Sequence, residues 1–128
     1  KANLVREGAA LSLITYGMGV HWAVDVQKET GLDIEIIDLR TLVPLDVDTI
    51  LTSVKKTGKA LVLHEDTLTA GMGGEISALI NEHAFEYLDA PVVRVASWDT
   101  PVPFAIPLEN GFLPKGRLKA AVERLAGY

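Results

Sequence analysis

Short apolar runs rich in β-branched residues recur along the chain, and each one ends at a turn or at a group of polar residues. The runs are Leu11–Tyr16, Ile34–Leu39, Ala60–Leu63 and Val92–Ala96, and Ala2–Arg6 forms a fifth, more polar extended segment. Short continuous runs of this kind are typical of strands that are covered on both faces. The pattern therefore predicts five strands.

Segments with apolar residues at helical spacing separate most of these strands and follow the last one. Their predicted core faces are Val20, Ala23, Val24 and Gln27; Val47, Ile50, Leu51 and Val54; Ile76, Leu79, Ile80 and His83; and Leu118, Ala121, Val122 and Leu125. Strands that alternate with amphipathic helices predict a mostly parallel sheet with helices on both faces. We therefore expect residues 1–128 to form a single three-layer α/β/α domain around a five-stranded sheet.

Residues at the ends of these segments support the predicted helices. Gly31 and Gly58 stand where a helix can end, and glycine readily adopts the left-handed conformation needed there. The carboxylate of Asp46 can cap the second helix, and Lys55 and Lys56 complement the dipole in its last turn. Four prolines between residues 97 and 114 predict an irregular segment that covers the surface.

Composition excludes several classes of function. The chain has 128 residues, a formal net charge of −5 and no cysteine. The length fits one domain, and the absence of a basic cluster argues against a nucleic-acid partner. Lack of cysteine excludes disulfides and thiolate metal sites and suits a reducing cytoplasm. The uncharged stretch Gly8–Val24 is too short and too interrupted to cross a bilayer. Because the chain begins at Lys1 rather than Met, we expect it to be part of a longer polypeptide.

The candidate chemistry lies in the loops that follow the strands, where open α/β sheets usually bind ligands. Gly17 and Gly19 resemble the start of a dinucleotide-binding turn, but Trp22 stands where the third glycine should be. The Gly71–Gly74 turn could present backbone N–H groups to an anion, although Glu75 can occupy the same positive field.

His64 and Glu65 form a candidate acid/base or metal pair in the segment His64–Gly74, which we interpret as a strand-to-helix loop. A metal needs more ligands, and neither His21 nor His83 is spaced to supply them. His83 is expected to be a core histidine. Since no nucleophile stands in a recognisable motif, the residues by themselves indicate no complete active site.

Several ordered motifs resemble a known family. Ile36–Asp46, His64–Asp66 and the Gly71–Gly74 turn resemble the C-terminal domain of transketolase-like enzymes. Thr57–Lys59, Glu75–Ser77, Asp89–Val95 and Asp99–Pro103 are similar to the β subunit of the E1 component of 2-oxo acid dehydrogenases, particularly the branched-chain type. Asp66-Thr67 replaces the Ala-Pro usual in the branched-chain form, and Pro107–Leu113 also differs, which bears on the substrate more than on the family.

The resemblance implies an enzyme that decarboxylates a branched 2-oxo acid and reductively acylates the lipoyl group of E2. Thiamine diphosphate and Mg would serve the full enzyme, bound by domains that lie outside this chain, and the Gly-Asp-Gly signature for them is absent from the sequence. No catalytic, cofactor-binding or metal-binding residue is therefore assigned here, and the isolated domain is expected to be inactive.

The resemblance further implies that this domain serves assembly. Its expected partners are the E1 α subunit or a fused α region, a second β subunit, and the basic peripheral-subunit-binding domain of E2. Asp89 and the carboxylate of Tyr128 are the predicted E2 contacts; a solvated loop charge and a frayed terminus are the alternatives for them. Arg40 is expected to pair with a carboxylate near an interface, and His64 and Glu65 to border a channel or subunit contact.

Two other functions stay open from the sequence. The chain could belong to a pyruvate or acetoin dehydrogenase β subunit, since the pocket that selects the substrate would lie elsewhere. It could also be a stand-alone α/β module that binds an anion at Gly71–Gly74.

Overall fold

A computed structural model of the chain describes residues 1–69, 71–97 and 114–128. The strands are β1 (Asn3–Arg6), β2 (Leu11–Thr15), β3 (Ile34–Asp38), β4 (Ala60–Thr67) and β5 (Val93–Ser97). The helices are α1 (Met18–Thr30), α2 (Val47–Thr57), α3 (Met72–Ala84) and α4 (Lys115–Ala126), with a 3₁₀ turn at Phe85–Tyr87. The predicted irregular segment, residues 97–114, lies outside the described residues except at its ends, where Ser97 belongs to β5 and Pro114 precedes α4.

The described strands form one sheet in the order β1-β3-β2-β4-β5. Strand β1 runs antiparallel to β3, and the other neighbouring pairs are parallel. The predicted mostly parallel α/β sheet is confirmed, and the polar segment Ala2–Arg6 supplies its antiparallel edge strand. We call the end of the sheet where β2–β5 finish the carboxyl edge and the opposite end the amino edge.

Two separate apolar clusters lie on the two faces of the sheet, as expected for three layers. One cluster joins the sheet to α1 and α4, and the other joins it to α2 and α3. The predicted core face of α4 is confirmed in full, with Leu118, Ala121, Val122 and Leu125 buried. Because both faces of the sheet are covered, the side chains on either face of β2 and β3 are buried, which explains their continuous apolar runs.

Three predictions about local structure are wrong in part. Strand β4 continues to Thr67, so His64–Thr67 belongs to the strand rather than to a loop. Of the predicted core face of α1, Ala23 is buried, whereas Val20, Val24 and Gln27 are only partly buried. The other buried residues of this helix are Gly19, Trp22 and Val26. The His83 side chain is 50% exposed rather than part of the core.

The predicted helix ends are confirmed. Gly31 and Gly58 end α1 and α2 with φ values of 67° and 74°, which are left-handed conformations. Asp46 caps α2 by accepting a hydrogen bond from the N–H of Thr49 at 3.2 Å. The pKa of Asp46 lies below its usual value, chiefly because its carboxylate accepts hydrogen bonds from the Thr49 hydroxyl and from the N–H of Ala2. None of the described helices is long and apolar enough to cross a membrane.

Candidate functional site

His64 is a buried polar residue at the carboxyl edge, with only 1% of its surface exposed. Its Nε2 accepts a hydrogen bond from the N–H of Gly73 at 2.9 Å, and its Nδ1 lies 3.0 Å from the main-chain oxygen of Asp66. The first contact requires a free lone pair on Nε2, so the proton of the neutral ring is on Nδ1 and is donated to Asp66. Burial lowers the pKa of His64 and favours this neutral form.

The glycines of the following turn are explained by contact with the His64 ring. A Cβ added at Gly71 would lie 2.3 Å from the oxygen of Thr67 and 2.6 Å from His64 Cε1. A Cβ added at Gly73 would lie 2.7 Å from His64 Nε2. These glycines therefore let the start of α3 approach the histidine, rather than a ligand.

Tyr16 follows β2 at the same edge and contacts two residues of the neighbouring strand β4. Its ring stacks on His64 with the centroids 6.1 Å apart, and its hydroxyl donates to the carboxylate of Asp66 at 3.1 Å. Burial, together with the negative charge of Asp66, raises the pKa of Tyr16 to about 12. Tyr16 thus stays neutral, and it lies at the edge where open α/β sheets commonly hold a ligand.

The predicted chemistry at this edge is not assembled among the described residues. Both ring nitrogens of His64 are engaged, and Glu65 is exposed on the next residue of β4. No group of three described His, Asp or Glu residues could hold a metal ion. Of the N–H groups expected to bind an anion, that of Gly73 is donated to His64 and that of Gly74 to the oxygen of Gly71.

The Gly17–Gly19 turn does not resemble a phosphate cradle in detail. A Cβ added at Gly19 would lie 1.9 Å from the Thr15 hydroxyl, so Gly19 is needed for close packing of α1 on β2. The neighbouring Trp22 is buried in the core between α1 and the sheet.

Arg40 projects from the loop after β3 at the same edge. It is exposed and has a φ of 62°, a left-handed conformation that few non-glycine residues adopt. Its N–H donates to the carboxylate of Asp38 at 3.0 Å, and its guanidinium forms no ion pair with the described residues. The loop also carries Val43, which is 91% exposed. A carboxylate partner for Arg40 stays a prediction.

The two predicted E2 contacts, Asp89 and Tyr128, meet at the amino edge around Gly58 and Lys59. The N–H of Asp89 donates to the oxygen of Gly58 at 2.7 Å, and a Cβ added at Gly58 would lie 2.4 Å from Asp89 Oδ2. Lys59 Nζ donates to the main-chain oxygen of Tyr128 at 2.9 Å. Residues that are far apart in the sequence therefore border one surface.

Asp89 is placed unfavourably for its own domain. Gly58 ends α2, and the carboxyl end of a helix carries partial negative charge that repels a carboxylate. The lysines nearby in the sequence have other partners: Lys55 lies over the Tyr87 ring, Lys56 pairs with Glu35, and Lys59 binds main-chain oxygens. Within the described part of the chain, Asp89 has no cation.

Sequence reasoning missed the buried polar group beneath α2. Glu35 is 3% exposed and accepts hydrogen bonds from Lys56 and from the N–H of Gly8. Burial by itself raises its pKa, but the hydrogen bonds from Lys56, Ser53 and Gly8 hold the pKa of Glu35 below its ordinary value. Ser12 lies 2.5 Å from the Ser53 hydroxyl and extends the group under the helix. The sequence signal for this group was a glutamate between the apolar residues Ile34 and Ile36.

Comparison with known proteins identifies the family of this domain. The family model described as "Transketolase, C-terminal domain" matches residues 1–117. The β subunit of 2-oxoisovalerate dehydrogenase from Pseudomonas aeruginosa is 51% identical over 126 residues, which are 98% of this chain and 35% of that protein. The β subunit of the pyruvate dehydrogenase E1 component from Bacillus subtilis is 47% identical over 117 residues, which are 89% of this chain and 36% of that protein. The chain spans about a third of the length of these curated relatives.

Solved structures show the same fold. A split gene transketolase, described as an inactive beta4 tetramer, superposes with a TM-score of 0.82 over 99% of this chain and 41% of that chain, at 21% identity. The 2-oxoglutarate:ferredoxin oxidoreductase from Magnetococcus marinus gives a TM-score of 0.60 over 98% of this chain and 19% of that chain, at 14% identity. The chain therefore belongs to the transketolase C-terminal domain family, and its sequence places it with the β subunits of 2-oxo acid dehydrogenase E1 components.

Proposed function

We propose that this chain is the C-terminal domain of the β subunit, or of a fused E1, in a branched-chain 2-oxo acid dehydrogenase complex. In this proposal the domain contributes subunit packing and E2 docking rather than chemistry. The observation that carries it is the contrast between His64, whose ring nitrogens are both bonded within the chain, and Asp89, which lacks a cation among the described residues. The 51% identity with a 2-oxoisovalerate dehydrogenase β subunit supports the branched-chain assignment.

The cofactor of the proposed enzyme does not fit the described residues. Thiamine diphosphate would supply the electron sink for decarboxylation of the 2-oxo acid, before the acyl group passes to the E2 lipoyl group. Such a cofactor needs a metal bound to its diphosphate, and the described residues contain no group of three potential metal ligands. Gly19 packs on Thr15, and the N–H of Gly73 is donated to His64. We therefore assign thiamine diphosphate and Mg to other domains of the full enzyme.

The proposed partners are the E1 α subunit or fused α region, a second β subunit and the peripheral-subunit-binding domain of E2. A basic side chain from E2 would supply the cation that Asp89 lacks, and it would also relieve the repulsion at the end of α2. Tyr128 is the weaker of the two predicted contacts because Lys59 already binds its main-chain oxygen. We place the complex in the bacterial cytoplasm, supported by the bacterial relatives and the absence of cysteine.

Charge reversal at Asp89 tests the docking role. In intact E1, Asp89→Lys is expected to weaken binding of the E2 peripheral-subunit-binding domain about tenfold or more, because like charges then face each other. Decarboxylation measured with an artificial electron acceptor should not change. Calorimetric titration of E1 with the E2 domain gives the affinity, and an unchanged affinity rejects the docking role.

The matched control is Asp48→Lys, which reverses another exposed carboxylate at the opposite end of α2. This end lies at the carboxyl edge, so E2 affinity should stay at the level of the unmodified E1. If both variants weaken binding equally, the effect comes from net charge and not from a specific contact.

A pyruvate or acetoin dehydrogenase is the second candidate, favoured by the 47% identity with the Bacillus subtilis pyruvate dehydrogenase β subunit. Assays of the full complex with branched 2-oxo acids, pyruvate and acetoin separate these activities, and the highest kcat/KM identifies the substrate. The stand-alone anion module is disfavoured because the N–H of Gly73 is already donated to His64. Calorimetry with phosphate compounds at millimolar concentration should show no heat of binding.

A further inference from the structure

Helix α3 is capped by a side chain from the preceding strand β4 and not by its own N-cap residue. The N-cap residue, Gly71, has no side chain, and no side-chain cap comes from the helix itself. His64 Nε2 takes this place by accepting the hydrogen bond from Gly73 at 2.9 Å. We call this interaction, between His64 on β4 and the first turn of α3, the His64 cap. Capping groups that accept hydrogen bonds at this position stabilise the start of a helix.

The His64 cap depends on the neutral imidazole. Since Nδ1–H is donated to the oxygen of Asp66, a second proton can be added only at Nε2. That proton would face the N–H of Gly73 across a distance that now holds a hydrogen bond, and both groups would be donors. The imidazolium would also lie at the positive end of the α3 dipole. We propose that His64 is a pH-sensitive switch whose protonation releases the first turn of α3 from strand β4.

Packing prevents His64 from avoiding this conflict by a small movement. Gly71 and Gly73 contact its ring so closely that an added Cβ at either would overlap it, and Tyr16 stacks on the ring from β2. Strand β4 is irregular here, because its residues 64–66 lie opposite the single Ala96 between the pairs Leu63–Val95 and Thr67–Ser97. Protonation would therefore break contacts on both sides of the imidazole.

The surrounding charges have defined effects on the switch. Arg94, from β5, disfavours the imidazolium, whereas Asp66, from β4, favours it. The Asp66 carboxylate also accepts a hydrogen bond from the Tyr16 hydroxyl, which stabilises part of its negative charge. The remaining carboxylates near this end, Glu65 on β4 and Glu75 in the first turn of α3, are exposed. Burial is the largest influence on the pKa of His64 and lowers it below 6.5.

The sign of the pH effect follows from this direction. A histidine whose pKa is depressed in the folded state contributes stability above its unfolded pKa, and that stability is lost as the pH falls through the folded pKa. The loss begins below about pH 6.5. The change is expected first at Gly73 and then at the hydrogen bond between Tyr16 and Asp66.

Amide hydrogen exchange of the full-length protein tests the switch. Between about pH 7.5 and about pH 5.5, protection at residues 71–75 should fall about tenfold after correction for intrinsic exchange, while α2 keeps its protection. His64→Gln replaces the imidazole by a neutral amide that can still accept from Gly73, so the pH dependence should disappear. His21→Gln and His83→Gln, which change exposed histidines, should retain it.

Three hydrogen-exchange results would contradict the proposed switch. The switch is wrong if protection at the start of α3 does not depend on pH, if α2 loses protection in parallel, or if the dependence persists in His64→Gln. Nitrogen-15 NMR of the unmodified protein provides a test that needs no variant. It should show the Nδ1–H form of His64 at neutral pH and a change of the Gly73 amide that follows the imidazole titration; titration of His64 without that change overturns the proposal.

Discussion

The two edges of the sheet differ in how their polar groups are satisfied. At the carboxyl edge, His64, Tyr16 and Asp66 bond to one another or to the backbone, and the neighbouring glycines allow α3 to approach closely. At the amino edge, the carboxylate of Asp89 lies at the unfavourable end of a helix without a cation in the described part of the chain. The polar groups of His64, Tyr16 and Asp66 are thus bonded within the domain, and the other edge offers an unsatisfied charge.

This difference separates residues whose polar groups are bonded within the domain from a residue whose charge is not balanced by the described residues. Disturbing a buried polar group that is fully hydrogen-bonded destabilises the fold, because the group loses a partner that water cannot replace. A surface carboxylate near a helix carboxyl end has the opposite property, since removing its charge relieves repulsion. Disturbing the hydrogen bonds of His64 or Tyr16 should therefore lower the free energy of unfolding, whereas neutralising Asp89 should raise it.

The largest effect is expected from Gly73→Ala at the carboxyl edge. The new Cβ would lie 2.7 Å from His64 Nε2, and the imidazole cannot move away without losing its bond to Asp66. We expect a loss of about 2 kcal/mol or more in the free energy of unfolding, the scale of overpacking in a filled core. Urea denaturation followed by circular dichroism measures it.

Gly74→Ala is the matched control, one residue further along α3. Its Cβ would meet only the Arg94 guanidinium at 3.8 Å, an ordinary contact distance. Alanine is the better helix former, so this variant should be neutral or gain up to about 1 kcal/mol. Equal losses for the two variants would show that helix geometry, and not the His64 ring, selects glycine here.

An intermediate effect is expected from Tyr16→Phe, which removes the hydroxyl that donates to Asp66 at 3.1 Å. The loss should be about 1 kcal/mol at neutral pH, as for a typical hydrogen bond to a charged acceptor in a partly exposed position. Because the pKa of Tyr16 is raised to about 12, its stabilising contribution is complete below pH 10 and is lost as the pH rises towards 12. The variant should lack that alkaline decrease.

Tyr87→Phe provides the corresponding change at the amino edge. The Tyr87 ring faces Lys55 at 5.3 Å, a contact that does not use the hydroxyl. The free energy of unfolding of Tyr87→Phe should stay within about 0.5 kcal/mol of that of the unmodified protein. A cost equal to that of Tyr16→Phe would mean that the Asp66 contact is not the source of the effect.

The smallest effect, with opposite sign, is expected from Asp89→Asn. Removing the charge from the carboxyl end of α2 should raise the free energy of unfolding by about 0.3–1 kcal/mol at low salt. Asp33→Asn is the comparison, since Asp33 lies near the same edge but pairs with Arg6 at 3.1 Å. This variant should lower the free energy of unfolding by a similar amount. Thermal unfolding at low and high salt measures both, and both changes should shrink at high salt. A loss at Asp89 would reveal a counter-ion within the domain.

Local sequence predicted those features that depend on neighbouring residues. The buried strands β2 and β3 were recognisable from their apolar runs, and Gly31, Gly58 and Asp46 from the backbone conformations or caps they provide. The apolar face of α4 also followed from its spacing. These signals are contained within a few residues, so they can be identified without knowledge of the fold.

Errors arose where distant residues decide the outcome. His64 was predicted in a loop because polar residues follow Leu63, but pairing with β5 extends the strand to Thr67. His83 was assigned to the core from its spacing on α3, yet the sheet covers a different part of that helix. Tyr16 was not singled out as a contact of His64, since the sequence does not show that β2 and β4 are neighbours.

The sequence by itself determined the alternation of strands and helices, the helix ends and the resemblance to the transketolase C-terminal domain family. These properties depend on local propensity, periodicity and ordered motifs, all of which are present in the linear chain. Only the tertiary structure decided that the turn at Gly71–Gly74 packs on His64 and that Asp89 lies against the end of α2. Both features arise from contacts between residues brought together by the sheet, and their energies depend on burial and on neighbouring charge.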